Sequence, residues 1–410
     1  MSTLIRISLA CFLLLSLGAC RDAGQTSNDI DLSAANLLPA RSNHTAVWTG
    51  TELILYGGVA KGVVSSQPGG LYAADYSTPN AVFAYEPGSD SWTLIREEAT
   101  TRAGHSAIWT GTEMIVWGGI TTSPIGSATA INTGTRYDPA TGLWSSVSTT
   151  NAPSPRGLHT ALRANPVSAP SGTAVMIVWG GTNATGSQVY NDGGRYDPVS
   201  DVWTSLSATN APAERMGYSA VWTGKEMIVW GGITYNASGG VTYYNNGGRY
   251  DPAADTWTPV STLGAPTARQ GHIAVWTGTE MLLFGGFDQP SNGLLLMNGG
   301  RYDPATDTWS PLLHNSSWPY YETWGDTLRG AWTGTELIVL SSSFQGRYNP
   351  SSQTWNDSGP YFSRSASTAA WTGTELILWG GRDLNGACYN TGIRYNPSTN
   401  TTTRTAVLYH

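Results

Sequence analysis

The stretch GTEMIVWGG, Gly111–Gly119, decides the fold because the chain repeats it. It returns as GKEMIVWGG at Gly224–Gly232. With the four residues before it, the unit occurs in five well-preserved copies: AVWTGTELILYGG (46–58), AIWTGTEMIVWGG (107–119), AVWTGKEMIVWGG (220–232), AVWTGTEMLLFGG (274–286) and AAWTGTELILWGG (369–381). Two weaker copies end at Gly181 and Ser342, the second without its glycine pair. A unit that recurs in this way indicates a repeat fold.

A second signature follows each copy, a Tyr seven positions before a Trp. It begins at Tyr85, Tyr137, Tyr196, Tyr250, Tyr302 and Tyr348, and at Tyr395 a Thr replaces the Trp. Each unit thus contains four strand-like runs, of the types HTAVW (strand A), ELILYGG (strand B), GGRYDP (strand C) and TWTPVST (strand D). The TGT link between A and B and the PATD link between C and D have turn composition, which predicts antiparallel neighbours. Four strands in a period of about 50 residues are typical of a propeller blade.

The glycine pair, the Tyr and Trp, and an RxxH sequence before strand A together resemble the kelch repeat. The resemblance covers seven units and implies an all-β fold, a seven-bladed β-propeller of four-stranded antiparallel blades over residues 29–410. Strand B agrees, because its consecutive apolar residues predict burial on both faces, as between stacked blades. The resemblance implies no single function, since kelch propellers serve both as enzymes and as binding platforms.

Residues 1–19 have the pattern of a lipoprotein signal peptide. One early Arg precedes an apolar run that is shorter than the roughly 20 residues needed to span a bilayer. The run ends in LGAC, Leu17–Cys20, which resembles the lipobox of bacterial lipoproteins. The resemblance implies lipidation of Cys20, a polar tether over residues 20–28, and an exported protein anchored by its lipid to a bacterial membrane, in the periplasm or at the cell surface. The alternatives are an ordinary secretory signal and an uncleaved anchor.

Composition narrows the expected partners. The net charge is −7 and Lys occurs only at Lys61 and Lys225, so the chain offers no long-range attraction to nucleic acid or anionic lipid. We expect a monomer that binds a protein or a glycan, and no nucleic acid. GxSxG, HExxH, P-loop and CxxC motifs are absent from the sequence, and no two His have the spacing of a metal motif. No catalytic residue, metal or cofactor is therefore predicted.

The links between strands divide between two faces of the disc, because neighbouring strands run in opposite directions. The A–B and C–D links, which are short and similar in every unit, form what we call the uniform face. The B–C and D–A links form the variable face. The B–C segment is Val59–Val82 in the first blade and only Ser343–Gln345 in the sixth. Since recognition is usually built from variable loops on a fixed scaffold, ligand contacts are predicted on the variable face.

Six arginines precede strand A, each three residues before the His position of its unit. They are Arg41, Arg102, Arg156, Arg215, Arg269 and Arg364. Repeat symmetry predicts that they surround the mouth of the central channel. One interpretation is a cationic ring that binds a planar anion such as a carboxylate, or a sulfate. The other is that each Arg caps backbone carbonyls between blades.

The RxxH sequence is missing before the sixth blade, where an aromatic loop takes its place. This aromatic loop, His314–Asp326, carries Trp318, Tyr320, Tyr321 and Trp324. Exposed aromatic rings stack on sugars or prolines, which makes these four residues ligand-binding candidates. Alternatively, they fill the space left by the short B–C link of the same blade.

These patterns predict an exported, membrane-anchored propeller that acts as a scaffold for a protein or glycan ligand on the variable face. The alternative is a periplasmic sugar-converting enzyme. It follows from a resemblance to exported kelch propellers such as sialic-acid mutarotases and epimerases. Such an enzyme needs only an acid and a base within the ring of arginines.

Two further patterns concern the frame of the propeller. Glutamates that open strand B are expected to pair across the strands with arginines near the end of strand C. The glutamates are Glu52, Glu113, Glu226, Glu280, Glu336 and Glu375, and the arginines are Arg136, Arg195, Arg249, Arg301, Arg347 and Arg394. The segment Asp29–His44 has the residue spacing of a strand D, so we expect it to pair into the seventh blade and close the ring. Alternatively, Thr401–Leu408 supplies that strand alone.

The lipobox resemblance predicts that Cys20→Ala releases the protein from the membrane fraction or blocks its processing. Removal of the thiol leaves no site for the acyl chains that anchor it. Fractionation with mass spectrometry of the N-terminal peptide tests this. A variant as membrane-bound as the wild type, with no lipid on Cys20 of the wild type, contradicts it.

Overall fold

The computed structural model describes residues 38–59, 81–97, 102–122, 128–165, 174–235, 240–288, 295–314, 328–341, 344–357, 364, 367–382 and 388–406. Within these ranges the strands form seven four-stranded antiparallel blades, as the repeat predicts, and two additional two-stranded hairpins. None of the described residues lies in a helix long and apolar enough to cross a membrane.

The first four blades each use their strands in the order A, B, C, D. Blade one has β1 (Thr45–Trp48), β2 (Leu53–Tyr56), β3 (Ala81–Glu86) and β4 (Ser91–Glu97). Blade two has β5 (Ser106–Trp109), β6 (Met114–Trp117), β9 (Gly134–Asp138) and β10 (Leu143–Val147), with the hairpin β7 (Ile120–Thr122) and β8 (Ala128–Ala130) in its B–C link. Blade three has β11 (Thr160–Ala164), β12 (Val175–Trp179), β13 (Gly193–Asp197) and β14 (Val202–Ser205). Blade four has β15 (Ser219–Trp222), β16 (Met227–Trp230), β19 (Gly247–Asp251) and β20 (Thr256–Pro259), with the hairpin β17 (Ile233–Tyr235) and β18 (Val241–Tyr243).

The last three blades repeat the same order. Blade five has β21 (Ile273–Trp276), β22 (Met281–Phe284), β23 (Asn298–Asp303) and β24 (Thr308–Leu313). Blade six has β25 (Arg329–Trp332), β26 (Leu337–Leu340), β27 (Gln345–Asn349) and β28 (Thr354–Asn356). Blade seven has β29 (Thr368–Trp371), β30 (Leu376–Trp379), β31 (Gly392–Asn396) and β32 (Thr401–Arg404).

The A strands are the innermost and form a closed ring. Each A strand contacts the A strand of the blade before and after it, and β1 contacts both β5 and β29. The last blade therefore meets the first through the same elements that join every other pair. A closed ring leaves no blade with an uncovered face.

The hydrophobic core consists of layers between neighbouring blades. In blade one, Leu53 and Leu55 of strand B belong to a cluster with Trp379 of blade seven. The alternate residues Ile54 and Tyr56 belong to a cluster with blade two. A strand B that faces a blade on each side is apolar at every position, which explains why its residues are buried throughout in all seven blades.

The glycine pair after strand B is required by the histidines that precede strand A. A Cβ on Gly118, the first glycine of blade two, would lie 2.7 Å from Cε1 of His159 in blade three. A Cβ on the second glycine, Gly119, would lie 2.9 Å from Cβ of His105 in its own blade. Both have positive φ, 69° and 101°, a conformation that other residues adopt only at a cost. The pair and the His are one packing unit shared by two blades.

The outermost strand of blade seven is C-terminal. β32, Thr401–Arg404, pairs with β31 from Ile393↔Arg404 to Asn396↔Thr401, so C-terminal residues hold the strand D position of blade seven and the expected N-terminal strand does not. Residues 29–37 of that segment lie outside the described residues. From Leu38 the chain lies against blade seven in the place of a D–A link, with the Arg41 carbonyl accepting from the Gly381 amide at 2.9 Å.

The expected ion pairs between strands B and C are confirmed in five blades, although not in direct register. Glu113 and Arg136 form a two-pronged pair with both nitrogen–oxygen distances at 2.9 Å. The other pairs are Glu226–Arg249, Glu280–Arg301, Glu336–Arg347 and Glu375–Arg394. The residue directly opposite Arg136 is Ile115, so the glutamate reaches its partner diagonally. Blade one has Glu52 without such an Arg, and blade three has Arg195 without such a Glu.

We predict that Gly231→Ala lowers the free energy of unfolding by about 2–3 kcal/mol. The new Cβ would lie 2.5 Å from Cε1 of His272 at a residue with a φ of 72°, and both the contact and the backbone conformation are unfavourable. Chemical denaturation measures the loss. Gly88→Ala is the matched control, because a Cβ there meets nothing within 4 Å and should change stability by less than about 0.5 kcal/mol. Equal effects of the two substitutions contradict the packing unit.

The buried histidines predict a loss of stability in acid. Burial lowers the pKa of His105, His159 and His272 to about 3, and that of His44 well below its usual value. Because the unfolded chain has a pKa of about 6.5 at each His, it binds protons that the folded state does not. Stability is therefore full above about pH 6.5 and falls toward about pH 3, by up to about 1.4 kcal/mol per pH unit for each His.

Denaturation curves between pH 7 and pH 4.5 measure this slope. His159→Tyr is the informative variant, because Tyr218 occupies the same position in blade four and does not titrate in this range. The variant should lose about a quarter of the histidine contribution to the slope. A slope identical to that of the wild type contradicts the assignment.

Candidate functional site

The variable face is the part of the described surface that departs most from symmetry. Blades two and four extend their B–C links into the hairpins β7–β8 and β17–β18. In blade six the same link leads from Ser341 to Phe344, which hydrogen-bond to each other at 2.8 Å. One repeated frame therefore carries links of very different length, which is the arrangement expected of a recognition surface.

The six candidate arginines lie on this face, and their guanidinium groups point into the frame. Each donates through Nη1 to two carbonyls of its own blade, one on the first glycine of the pair and one on the residue at the start of strand C or just before it. In Arg102 these bonds are 3.1 Å to Gly118 and 2.8 Å to Thr133. In Arg215 they are 2.9 Å to Gly231 and 2.9 Å to Asn246. Arg41, Arg156, Arg269 and Arg364 make the equivalent bonds.

The second guanidinium nitrogen is also engaged in several blades. Nη2 of Arg215 donates to the Asn246 side chain at 3.0 Å, and Nη2 of Arg156 lies 2.8 Å from the Asp192 carboxylate. Arg156 and Arg215 are 0% exposed. An anion would have to displace these partners, so the geometry favours the capping interpretation. The carbonyls belong to the same blade as the Arg, however, and not to its neighbour.

Burial lowers the pKa of Arg41, Arg215, Arg269 and Arg364 to about 10. At neutral pH all four remain protonated. Their charge is therefore held beneath the variable face and partly balanced by carbonyl dipoles.

Three tyrosines that the sequence analysis did not select cover these arginines. Tyr190, Tyr244 and Tyr389 lie over the guanidinium groups of Arg156, Arg215 and Arg364, with the guanidinium carbon 4.2, 4.2 and 4.1 Å from the ring centroid. All three are partly exposed. The sequence contains a signal that could have identified these tyrosines. In each of the three blades a Tyr-Asn pair occurs, and its Tyr, at position 190, 244 or 389, lies six residues before the Tyr of strand C.

The blade-four hairpin adds two more tyrosines. Tyr243 is hydrogen-bonded to Gln270 of the next D–A link. The hydroxyl of Tyr235 is buried and has no hydrogen-bond partner among the described residues. Burial raises the pKa of Tyr235 to about 12, so its phenol keeps its proton at neutral pH.

The histidines before strand A are engaged in the frame. His44, His105, His159 and His272 hydrogen-bond through Nε2 to a hydroxyl that opens strand A of the preceding blade, at 2.7–2.8 Å. Across the described ranges no cluster of three or more His, Cys, Asp or Glu side chains has a geometry that could hold a metal ion.

Two of the predicted sites fall outside the described residues. These are Cys20, and the aromatic-loop residues Trp318, Tyr320, Tyr321 and Trp324. Lipidation and ligand contact at these positions stay predictions.

The comparison with known families agrees with the architecture. The sequence profile of the Attractin/LZTR1 beta-propeller matches residues 23–296. That range covers more than half of the chain and includes the first five copies of the repeat through the glycine pair. The seven blades, the kelch-type repeat and this match lead to one conclusion: the chain belongs to the Attractin/LZTR1 beta-propeller family.

Proposed function

We propose that this propeller is an exported, lipid-anchored scaffold that binds a protein or glycan ligand through the variable face. The observation that carries the proposal is the set of tyrosines held by the frame on that face. A β-propeller of this family is compatible with a protein-binding role. The ligand class and the membrane anchor are proposed as well.

The tyrosines over the arginines are held both by their rings and by their backbone carbonyls. The ring of Tyr190 lies over Arg156 of its own blade, and its backbone carbonyl accepts from the amide of Arg215 in the next blade at 3.4 Å. Tyr244 does the same with Arg215 and the amide of Arg269, at 3.2 Å. A ring that is already ordered loses little conformational entropy on binding, which raises the affinity that a given contact provides.

Tyrosine also suits the ligand classes proposed. Its ring presents an apolar face to a sugar or a proline, and its hydroxyl both donates and accepts. On the blade-four hairpin Tyr243 is partly exposed, which makes it a further candidate contact, whereas the Tyr235 hydroxyl is buried. The low content of charged residues, 12%, agrees with recognition by shape and hydrogen bonds more than by net charge.

The aromatic loop is proposed as a further contact, because its sequence position between β24 and β25 is that of a D–A link, and such links are predicted on the variable face. The membrane anchor rests on the lipobox at Cys20. The sugar-converting enzyme stays an alternative prediction, with no described geometry that favours it over binding.

A glycan and peptide array probed with the soluble propeller identifies the ligand class. For the best ligand we predict that Tyr190→Ala and Tyr243→Ala each raise the Kd about tenfold, the loss typical of a central aromatic contact. Titration calorimetry or biolayer interferometry measures the change.

Val199→Ala is the matched control, because Val199 is 64% exposed and lies in the C–D turn of the same blade as Tyr190, on the uniform face. It should leave the Kd unchanged. If the control weakens binding and the two tyrosine variants do not, the ligand occupies the uniform face and the proposal fails.

A further inference from the structure

The junction between blades one and two, here called the first junction, lacks a side chain that the other junctions share. In blades two and five, the Arg of strand C donates hydrogen bonds from two nitrogens to the carboxylate of the Glu before strand B. Arg136 and Glu113 meet at 2.9 and 2.9 Å, and Arg301 and Glu280 at 3.0 and 2.9 Å. This fork is the geometry in which a carboxylate binds a guanidinium most strongly.

Nη1 of each arginine bonds to the next blade. It donates to the carbonyl of the Pro that follows strand C there, or to the Tyr hydroxyl beside it. The bonds to proline are Arg195–Pro252 (2.8 Å), Arg301–Pro350 (3.4 Å), Arg347–Pro397 (2.6 Å), Arg394–Pro87 (2.9 Å) and Arg249–Pro304, and Arg136 bonds the Tyr196 hydroxyl at 3.3 Å. A Glu, a Pro carbonyl and a Tyr hydroxyl thus form a receptor for one guanidinium.

The first junction keeps the receptor and lacks the arginine. Its acceptors are Glu52, the Pro139 carbonyl and the Tyr137 hydroxyl, while Ala84 holds the arginine position. The register proves the equivalence, because Ile54 lies opposite Ala84 as Ile115 lies opposite Arg136. Among the described residues, Glu52 has no basic partner and the Pro139 carbonyl accepts no hydrogen bond.

The Tyr137 hydroxyl is also left with fewer partners than its equivalents. Tyr196 donates to Asp201 at 2.6 Å, whereas blade two has Gly142 in the position of that Asp. A Cβ on Gly142 would meet nothing within 4 Å, so no described atom takes the place of the Asp side chain at that position. Tyr137 therefore retains a hydroxyl that can accept from a cation.

Carboxylates lie near two acceptors of the first junction, and one arginine, Arg96, also reaches across this junction. Burial and the neighbouring Glu86 carboxylate raise the pKa of Glu52. Burial, Glu52 and Asp138 raise the pKa of Tyr137. Arg96, on strand D of blade one, is opposite Val82 and lies over the ring of Trp144, 4.6 Å from its centroid. A cation placed between Glu52 and Pro139 would relieve the repulsion.

We propose that the first junction is a binding site for the guanidinium group of an arginine side chain from a partner protein. In five other blades the chain pairs its own arginine with this Glu, and at the first junction Ala84 stands in the arginine position. Arginine fits better than lysine, because the site has a carboxylate that accepts two parallel bonds and a third acceptor on the next blade. The site lies on the uniform face, so it is independent of the ligand proposed for the variable face.

Ethylguanidinium chloride is the probe, and ethylammonium chloride at the same ionic strength is its control. For the wild type, 20 mM ethylguanidinium should raise the Tm by about 1–2 °C relative to ethylammonium, because it binds only the folded state. In a crystal soak, its density should lie between Glu52 and the Pro139 carbonyl.

Two variants test the assignment. Ala84→Arg restores the internal arginine, so it should have a higher Tm without probe and no response to ethylguanidinium. Glu52→Gln removes the carboxylate and should abolish the response without filling the site, which keeps the test valid if Ala84→Arg fails to fold. A wild type that does not respond, or a response equal in the wild type and Glu52→Gln, overturns the proposal. Equal responses to ethylguanidinium and ethylammonium show an unspecific cation patch and overturn it as well.

A tripeptide pair extends the test to the proposed partner class. Acetyl-Gly-Arg-Gly-amide should bind the wild type at least tenfold more tightly than acetyl-Gly-Lys-Gly-amide, and the preference should disappear in Glu52→Gln. Equal binding of the two peptides, or a preference that survives in Glu52→Gln, contradicts an arginine side chain as the occupant.

Discussion

The structure depends on the closure of its ring, and the ring closes because one set of contacts is repeated between successive blades. The indole of Trp203 donates to the Ser148 carbonyl of the blade before it at 2.9 Å. The same bond joins the first blade to the last, from Trp92 to the Ala406 carbonyl at 2.9 Å. The His44–Thr368 and Arg394–Pro87 bonds cross the same junction. The seam between the chain ends is thus built like a junction within the chain.

The contacts that close the ring involve most of the polar residues that recur from blade to blade. The histidines fit against the glycine pair of the preceding blade, and the arginines before strand A hold the carbonyls where strand B ends. Buried polar groups are stable only when they are paired, so these side chains are committed to the frame. We therefore expect ligands to be recognised at positions where one blade differs from the others. The tyrosines of the B–C links and the alanine at position 84 are such positions.

The repeat itself made the fold predictable. Strand B is apolar throughout because it lies between two blades, and the positions of Tyr and Trp fix strands C and D. The function of the arginines was not predictable, because a guanidinium suits an anion and a carbonyl equally well. The sequence does not show that Gly118 and Thr133 present carbonyls 3.1 and 2.8 Å from Arg102.

Two other features could not be predicted from the sequence, each for a different reason. The Thr402 that replaces Trp in blade seven suggested a weak strand D, but the Trp at this position serves the junction with the preceding blade, and strand pairing needs only the backbone. The tyrosines over the arginines were missed because blades two and five have Ile131 and Leu296 at the equivalent position. The ion pairs were predicted from spacing, whereas their diagonal geometry depends on the register of strands B and C.

Hydrogen exchange across the seam between blades seven and one tests the central claim most directly, that the repeated contacts alone close the ring. If they do, the amides of β1, β29 and β32 exchange through the same global opening as those of β15 and β16 in blade four, with comparable protection. Fast exchange of β32 together with strong protection of residues 29–37 would show that the N-terminal segment closes the ring instead. Fast exchange on both sides of the seam would show an open ring, and either result would contradict the account.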